Sequence, residues 1–306
     1  MSPELRRGSA IERFADSNAV WPLAVGISAL YMAVFIGYPI LYNLLMSFQE
    51  VNMGNLAQLD RPWVGLANYR RLFDDPLFGR VAMNTVFFVL GNVVVQFVLG
   101  LTLALFFEQE FPGYGFLRGV FLAGWILPPL VIGAVWKWML ASDGGVLNHL
   151  LIQAGIVRGA TYWLSDPKLA LLAVTATNIW YGLPFTMILL AAGLAGIPRD
   201  IYEAAALDGA GPWQRFWRVT LPLMRPTIYA VLAIGTIYTM RAFDIIWTMT
   251  HGGPVDSSNI FPLWAYILSF EQFNFGFGAA ISTLMLAAVF AVAVVYVRSI
   301  GTEQRS

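Results

Sequence analysis

Six apolar blocks, each long enough as a helix to cross a lipid bilayer, constrain this chain more than anything else in it. They run over 21–48, 83–107, 118–140, 169–194, 226–248 and 278–297. Within hydrocarbon the backbone must satisfy its own N–H and C=O groups, so only helices or a closed barrel can span it, and blocks of this length select helices. The expected fold class is an all-α integral membrane protein with six transmembrane helices. Charged residues make up 12% of the chain and hydrophobic ones 58%, about half the charge of an ordinary soluble domain.

The same residues exclude several kinds of chemistry. A net charge of zero leaves no basic footprint for nucleic acid. The chain has no cysteine, so disulfides, thiolate metal sites and cysteine nucleophiles are ruled out, and its two histidines, His149 and His251, fall in separate loops. There is no GxxxxGK[ST] to cradle a nucleotide phosphate, and no G-x-S-x-G or H-E-x-x-H. Asp244 is the one clear acid inside the apolar blocks, too few for a proton relay. Energy for any transport must come from outside the chain.

Taken in order, residues 1–20 are polar and of mixed charge, expected as a cytoplasmic tail, and the first block is expected as an uncleaved span kinked at Tyr38-Pro39. The connection at 49–82 holds Tyr69, Leu72 and Phe73 at helical spacing, which predicts a short interfacial helix. In the second block Asn92 and Gln96 share a face, and interhelical hydrogen bonds account for them better than solute contact. Pro128-Pro129 should break the third block. In the fourth, Asn178, Trp180 and Tyr181 precede Gly182-Leu183-Pro184, which is expected to loosen the helix in mid-membrane. The fifth carries Arg241 and Asp244 three apart, placed to pair on one helical face, and the sixth offers Ala287 and Ala291 as a small-residue contact face. Residues 298–306 form the other tail.

With six spans both termini lie on one side. Putting them in the cytoplasm collects ten basic residues inside against six outside, a modest positive-inside bias. The stretch Ile197–Pro222, IPRDIYEAAALDGAGPWQRFWRVTLP, then lies in the cytoplasm. Pro198, Asp200 and Glu203 mark a helix start, and Asp208-Gly209-Ala210-Gly211-Pro212 ends that helix in a turn. A second helix with Trp213, Phe216, Trp217 and Thr220 on one face is expected to close at Leu221-Pro222. Such an elbow suits docking of another protein, and it equally fits an amphipathic connector lying on headgroups.

Glu203-Ala204-Ala205, Gly209 four residues on, and Leu221-Pro222 resemble the EAA loop of bacterial ATP-binding cassette (ABC) importer permeases, with Val219 where that pattern usually has isoleucine. GLANYRRLF at 65–73, Asn84-Thr85 and Gly252-Gly253-Pro254 resemble the carbohydrate-uptake branch of the same family, of the maltose and glycerol-3-phosphate type. The resemblance covers the chain from 65 to the last span. It implies the type I importer permease fold in a multi-pass protein of the bacterial inner membrane. The implied partners are a second homologous permease forming a heterodimer, two ATPase subunits that hold ATP and Mg, and a periplasmic or extracellular solute-binding protein. No cofactor or metal is expected in this chain, which would touch membrane lipid but no nucleic acid. ATPase coupling would fall to Glu203, Ala204, Ala205, Asp208, Gly209, Leu221 and Pro222, with no catalytic residue.

For a solute path the polar and aromatic residues at depth are Asn178, Tyr181, Tyr238, Arg241 and Asp244. Arg241 and Asp244 either neutralise each other to hold helices together, or Arg241 faces a cavity and selects an anionic sugar. Outside this family the competing expectation is a self-sufficient secondary transporter, which calls for an internal repeat and ion-coupling carboxylates that the chain does not display.

Overall fold

The computed structural model describes residues 20–58, 60–109 and 111–303. The polar stretch expected as an N-terminal tail, apart from Val20, and the last residues of the C-terminal tail, Arg305 among them, lie outside the described residues. Four helices are individually long and apolar enough to cross a membrane, and two bent helix pairs bring the number to six. No β-sheet forms among the described residues, only two isolated bridges that pin loops.

The first span joins α1 (Val20–Met32) to α2 (Tyr38–Ser47) through a wide π-helical turn at Ala33–Gly37. Pro39 has no N–H to donate and its ring crowds the preceding turn, and one widened turn absorbs both defects. Only the α2 half packs on the bundle, where Asn43 Nδ2 reaches Thr283 Oγ1 at 3.3 Å. Helix α3 (Ala67–Asp74) turns its Leu72 fully inward, while Phe73 points out. Tyr69 shares a 2.7 Å hydrogen bond with Ser47, so α3 is fastened to the end of α2.

The centre of the fold is the pairing of α4 (Phe78–Glu108) with a later helix, α8 (Ala170–Ala195), the most extensive contact in the chain. Small residues let the backbones approach: a Cβ on Gly100 would stand 2.8 Å from Thr186 Cγ2. Asn92 and Gln96 bind across this seam, with Asn178 Nδ2 donating to Asn92 Oδ1 at 2.8 Å and Gln96 Nε2 donating to the Asn178 carbonyl at 3.0 Å. Between the two helices lie α5 (Tyr114–Ile126) and α6 (Pro129–Met139), which meet at 99°, the break falling at Leu127-Pro128. Helix α7 (Val146–Gln153) holds the following loop through Asn148, which bonds the carbonyl of Thr161 at 3.0 Å and the indole of Trp163 at 3.0 Å.

Helix α8 runs unbroken through Pro184, against the expectation of a loosened helix there. Burial against α4 on one side and α5 on another fixes the path of α8, so tertiary packing overrides the local preference of proline. The backbone opens instead in the fifth span, between α12 (Arg225–Met240) and α13 (Asp244–Thr250).

The connection at 249–277 is more ordered than a polar loop: it contains α14 (Phe261–Tyr266) and a π-helical turn at Ile267–Glu271. Asn84 Nδ2 anchors it through the carbonyls of Asp256 and Asn259 at 3.0 and 2.9 Å, and Thr85 Oγ1 accepts from the Phe261 amide at 3.1 Å. Helix α15 (Phe275–Glu303) closes the bundle against α2, α12 and α14. Ala279, Ala280 and Ile281 on it are buried, whereas Ala287 and Ala291 are exposed. Apolar side chains fill the core in clusters, Phe88, Val174, Ile246 and Leu263 toward the loop end and Leu101, Met187, Leu190 and Met224 toward the opposite end.

Candidate functional site: an exposed elbow and a membrane-depth cavity

At the end of the bundle away from the 249–277 loop, α9 (Arg199–Leu207) leaves α8 through Pro198, with Asp200 in its first turn. It ends at Gly209, whose φ of +80° is the left-handed conformation that glycine adopts without steric cost. The Ala210 amide donates to the Ala205 carbonyl at 2.9 Å and the Gly209 amide to Ala206 at 3.0 Å, the hydrogen-bond pair of a Schellman ending. The chain then reverses into α10 (Pro212–Arg215), a π-helical turn at Phe216–Thr220 and α11 (Leu221–Leu223). Leu221-Pro222 therefore does not close this arm. The π turn makes room for Pro222 as the earlier one does for Pro39, and the 67° bend comes afterwards, at Met224.

Of the residues singled out from the sequence, Glu203, Ala204, Asp208 and Gly209 are exposed on the elbow, while Ala205, Leu221 and Pro222 are half-buried. The rings of Trp213, Phe216 and Trp217 touch one another, with centroids 5.4 to 6.1 Å apart. Phe216 and Leu221 pack on the core cluster around Met187 and Met224, whereas Trp213 stays 72% exposed. Sequence reasoning missed Leu207, which is 90% exposed at the tip of α9. An apolar side chain that open on a helix end is a signal the pattern Glu-Ala-Ala-Ala-Leu-Asp already contained.

Deeper in the bundle, a cavity of about 330 Å³ opens between α4, α5, α8, α12 and α13. Asn178, Tyr181, Tyr238, Arg241 and Asp244 all line it. So do Trp125, Phe185 and Phe243, which the sequence did not single out. Trp125 stacks on Phe185 at 5.1 Å and Phe185 meets Tyr238 edge-on at 5.8 Å, giving one wall of ring faces. From Phe243 the rings continue along α13 to Trp247, stacked at 5.6 Å, and to His251. Asn178 is committed to the α4–α8 seam by its bonds to Asn92 and Gln96 and serves there as a clamp.

The expected pairing of Arg241 with Asp244 is absent. Three residues apart they would share a face only on a continuous helix, but α12 ends at Met240 and α13 begins at Asp244, so the intervening backbone turns them apart. Among the described residues no ion pair or side-chain hydrogen bond engages either of them, and both are exposed. Arg241 caps the C-terminal end of α12 and Asp244 occupies the first turn of α13, positions at which the helix ends favour the sign each carries. No group of three or more His, Cys, Asp or Glu able to hold a metal occurs among the described residues.

A membrane bundle with a largely apolar cavity at depth carrying a few polar groups, and an exposed elbow at one end, is the form of a transport subunit that docks elsewhere. Residues 96–301 match the family described as binding-protein-dependent transport system inner membrane component, and the chain belongs to that family. The chain is 33% identical over 281 residues to the sulfoquinovosyl glycerol transport system permease of Agrobacterium fabrum, covering 92% of this chain and 90% of that one. It is 35% identical over 242 residues to the trehalose/maltose transport system permease of Thermococcus litoralis, covering 78% and 80%. A solved bacterial ABC transporter involved in import of the acidic polysaccharide alginate superposes with a TM-score of 0.77 at 20% identity, over 96% of this chain and 99% of that one. The protein is thus a multi-pass inner-membrane permease subunit of an ABC importer, without an ATPase site of its own. A self-sufficient secondary transporter is not favoured by that membership.

Proposed function

We propose that the chain forms half of the translocation path of a sugar importer. The observation that carries this is the cavity, in which contacting aromatic rings and hydrogen-bonding groups line the same space. The apolar C–H faces of a sugar ring pack on aromatic rings, while its hydroxyls need fixed donors and acceptors. The relatives named for sulfoquinovosyl glycerol and for trehalose and maltose support the same class of cargo.

In this reading the termini and the 197–222 elbow face the cytoplasm, residues 21–297 form the permease domain, and the tails at 1–20 and 298–306 flank it. A second homologous permease completes a heterodimer, and two ATPase subunits hold ATP and Mg. A solute-binding protein delivers cargo to the loop end. Glu203, Ala204, Ala205, Asp208 and Gly209 form the docking surface of the elbow, with Leu221 and Pro222 setting its angle to the bundle. Closure of the ATPases then moves the elbow, and the rigid α4–α8 seam carries that movement to the cavity.

The test is ATP hydrolysis by the reconstituted assembly with its binding protein across a panel of neutral and acidic sugars. Stimulation by a sugar is expected, lost on Gly209→Trp with the subunits still associated. Transport driven by an ion gradient with no ATPase in the purified assembly would overturn the reading.

A further inference from the structure

The cavity contains a charge arrangement that a site for neutral cargo does not need. An ionised side chain at membrane depth is costly unless it is paired, hydrated or facing a cavity. Arg241 and Asp244 are three residues apart, yet α12 ends before Arg241 and α13 begins at Asp244, and among the described residues no ion pair or side-chain hydrogen bond engages either. Each sits instead at a helix end whose dipole is of favourable sign, Arg241 at the C-cap of α12 and Asp244 in the first turn of α13.

The amides and threonine hydroxyls of the lining are already occupied. The Gln96 amide donates to the Asn178 carbonyl, Asn178 donates to Asn92, and the hydroxyls of Thr186 and Thr239 bond to carbonyls of their own helices at 3.3 and 2.8 Å. What remains is the two charged groups of the lining, one guanidinium and one carboxylate, with the hydroxyls of Tyr181 and Tyr238, beside the rings of Trp125, Phe185 and Phe243.

We propose that this cavity takes an acidic sugar, Arg241 holding the carboxylate, sulfonate or phosphate substituent and Asp244 accepting hydrogen bonds from the ring hydroxyls. The proposal rests on the reading of the cavity as the solute site. A planar guanidinium offers two parallel N–H donors matched to two acid oxygens, a fit that a lone hydroxyl does not use. A carboxylate accepts but does not donate, so Asp244 suits hydroxyls and repels the acid group, which orients the cargo end to end.

The experiment is solute-stimulated ATP hydrolysis by the whole assembly, read with glucuronate-bearing and glucose-bearing disaccharides of the same linkage. Each variant is compared with the wild type using the same binding protein, so that protein's own preference cancels. Arg241→Gln is expected to lower the acid-to-neutral ratio by about tenfold or more, the scale of one charge-assisted hydrogen bond pair. Arg241→Lys should recover part of that ratio, whereas Asp244→Asn, which removes both a hydroxyl acceptor and a repulsion toward the acid group, should lower the neutral response more than the acidic one.

A wild type that responds to the neutral sugar alone overturns the proposal, as does an Arg241→Gln variant that loses both responses equally, since a charge held against a partner subunit would behave that way. If no sugar of either kind stimulates hydrolysis, the sugar-importer reading itself fails.

Discussion

Glycine has opposite uses in the α4–α8 seam and in the 198–223 elbow. At Gly100 the missing side chain makes room for a neighbour, because a Cβ there would press on Thr186 and on the Met187 amide. At Gly209 a Cβ would meet nothing within 4 Å, and what matters is the backbone angle, φ +80°. The seam keeps its interactions within the chain: buried amides bonded to one another, closely approached backbones, and buried Met187 and Leu190 beside them. The elbow is locally well formed but leaves Leu207, Trp213 and Trp217 in the open. Free energy that would hold those side chains is unspent within this chain, and a partner surface is where it can be realised.

Overpacking the seam should have the largest effect. Gly100→Leu cannot be accommodated without separating α4 from α8, at a cost of about 1–3 kcal/mol for overpacking and roughly 0.6 kcal/mol more for each interhelical hydrogen bond lost. Thermal unfolding of the detergent-solubilised protein is expected to fall by several degrees, with less protein recovered from membranes. An unchanged midpoint would mean that the seam is not what holds the bundle together.

This contrast also explains what could be read from the sequence. Asn92 and Gln96 were legible as bundle-facing because their four-residue spacing puts them on one face of one helix, while their partner Asn178, on another block, reads from the sequence as part of a solute path. The elbow was legible because Gly209 and Gly211 permit a turn that other residues resist and Pro212 fixes the start of the next helix. The break at Arg241–Phe243 was not, since no proline or glycine marks it and a continuous helix fits the local pattern equally well. Pro184 misled in the other direction: packing on two helices keeps α8 intact around it. The cavity's aromatic wall was illegible for a different reason. Trp125, Phe185 and Phe243 come from three separated segments, and nothing in an apolar block tells which of its rings face a cavity and which face lipid.

An elbow built for a partner should respond in the opposite way to the seam. Gly209→Ala places a Cβ at positive φ, for about 1–2 kcal/mol of local strain. Because the residue is exposed and meets no neighbour, the end of α9 can fray and relieve that strain without loosening the bundle, so the unfolding midpoint should fall by clearly less than with Gly100→Leu. Solute-stimulated ATP hydrolysis should nevertheless fall several-fold, through a misaligned α9. A midpoint lowered as far as by Gly100→Leu would show that the elbow belongs to the bundle's own stability, and the contrast would collapse.

The smallest effect isolates what keeps the two arms of the elbow together. Among the described residues, one side-chain hydrogen bond joins α9 to the second arm, Tyr202 to Thr220 at 3.0 Å. Thr220 is buried, while Tyr202 is half-buried and within reach of water once its partner is gone. Thr220→Val keeps the shape and removes the hydroxyl; its longer bond to the Arg215 carbonyl at 3.4 Å lies within the second arm, so the cost between the arms is that of one partly replaceable bond, about 0.5–1 kcal/mol. Amide exchange in 199–207 should then speed up by roughly two- to fivefold, that energy converted at 1.4 kcal/mol per factor of ten. Exchange in α4 and α8 should not change. Acceleration spreading into α8 would mean that the elbow and the seam open as one unit, and unaltered exchange in α9 would mean that the contacts of Phe216 and Leu221, rather than this bond, set the angle of the elbow.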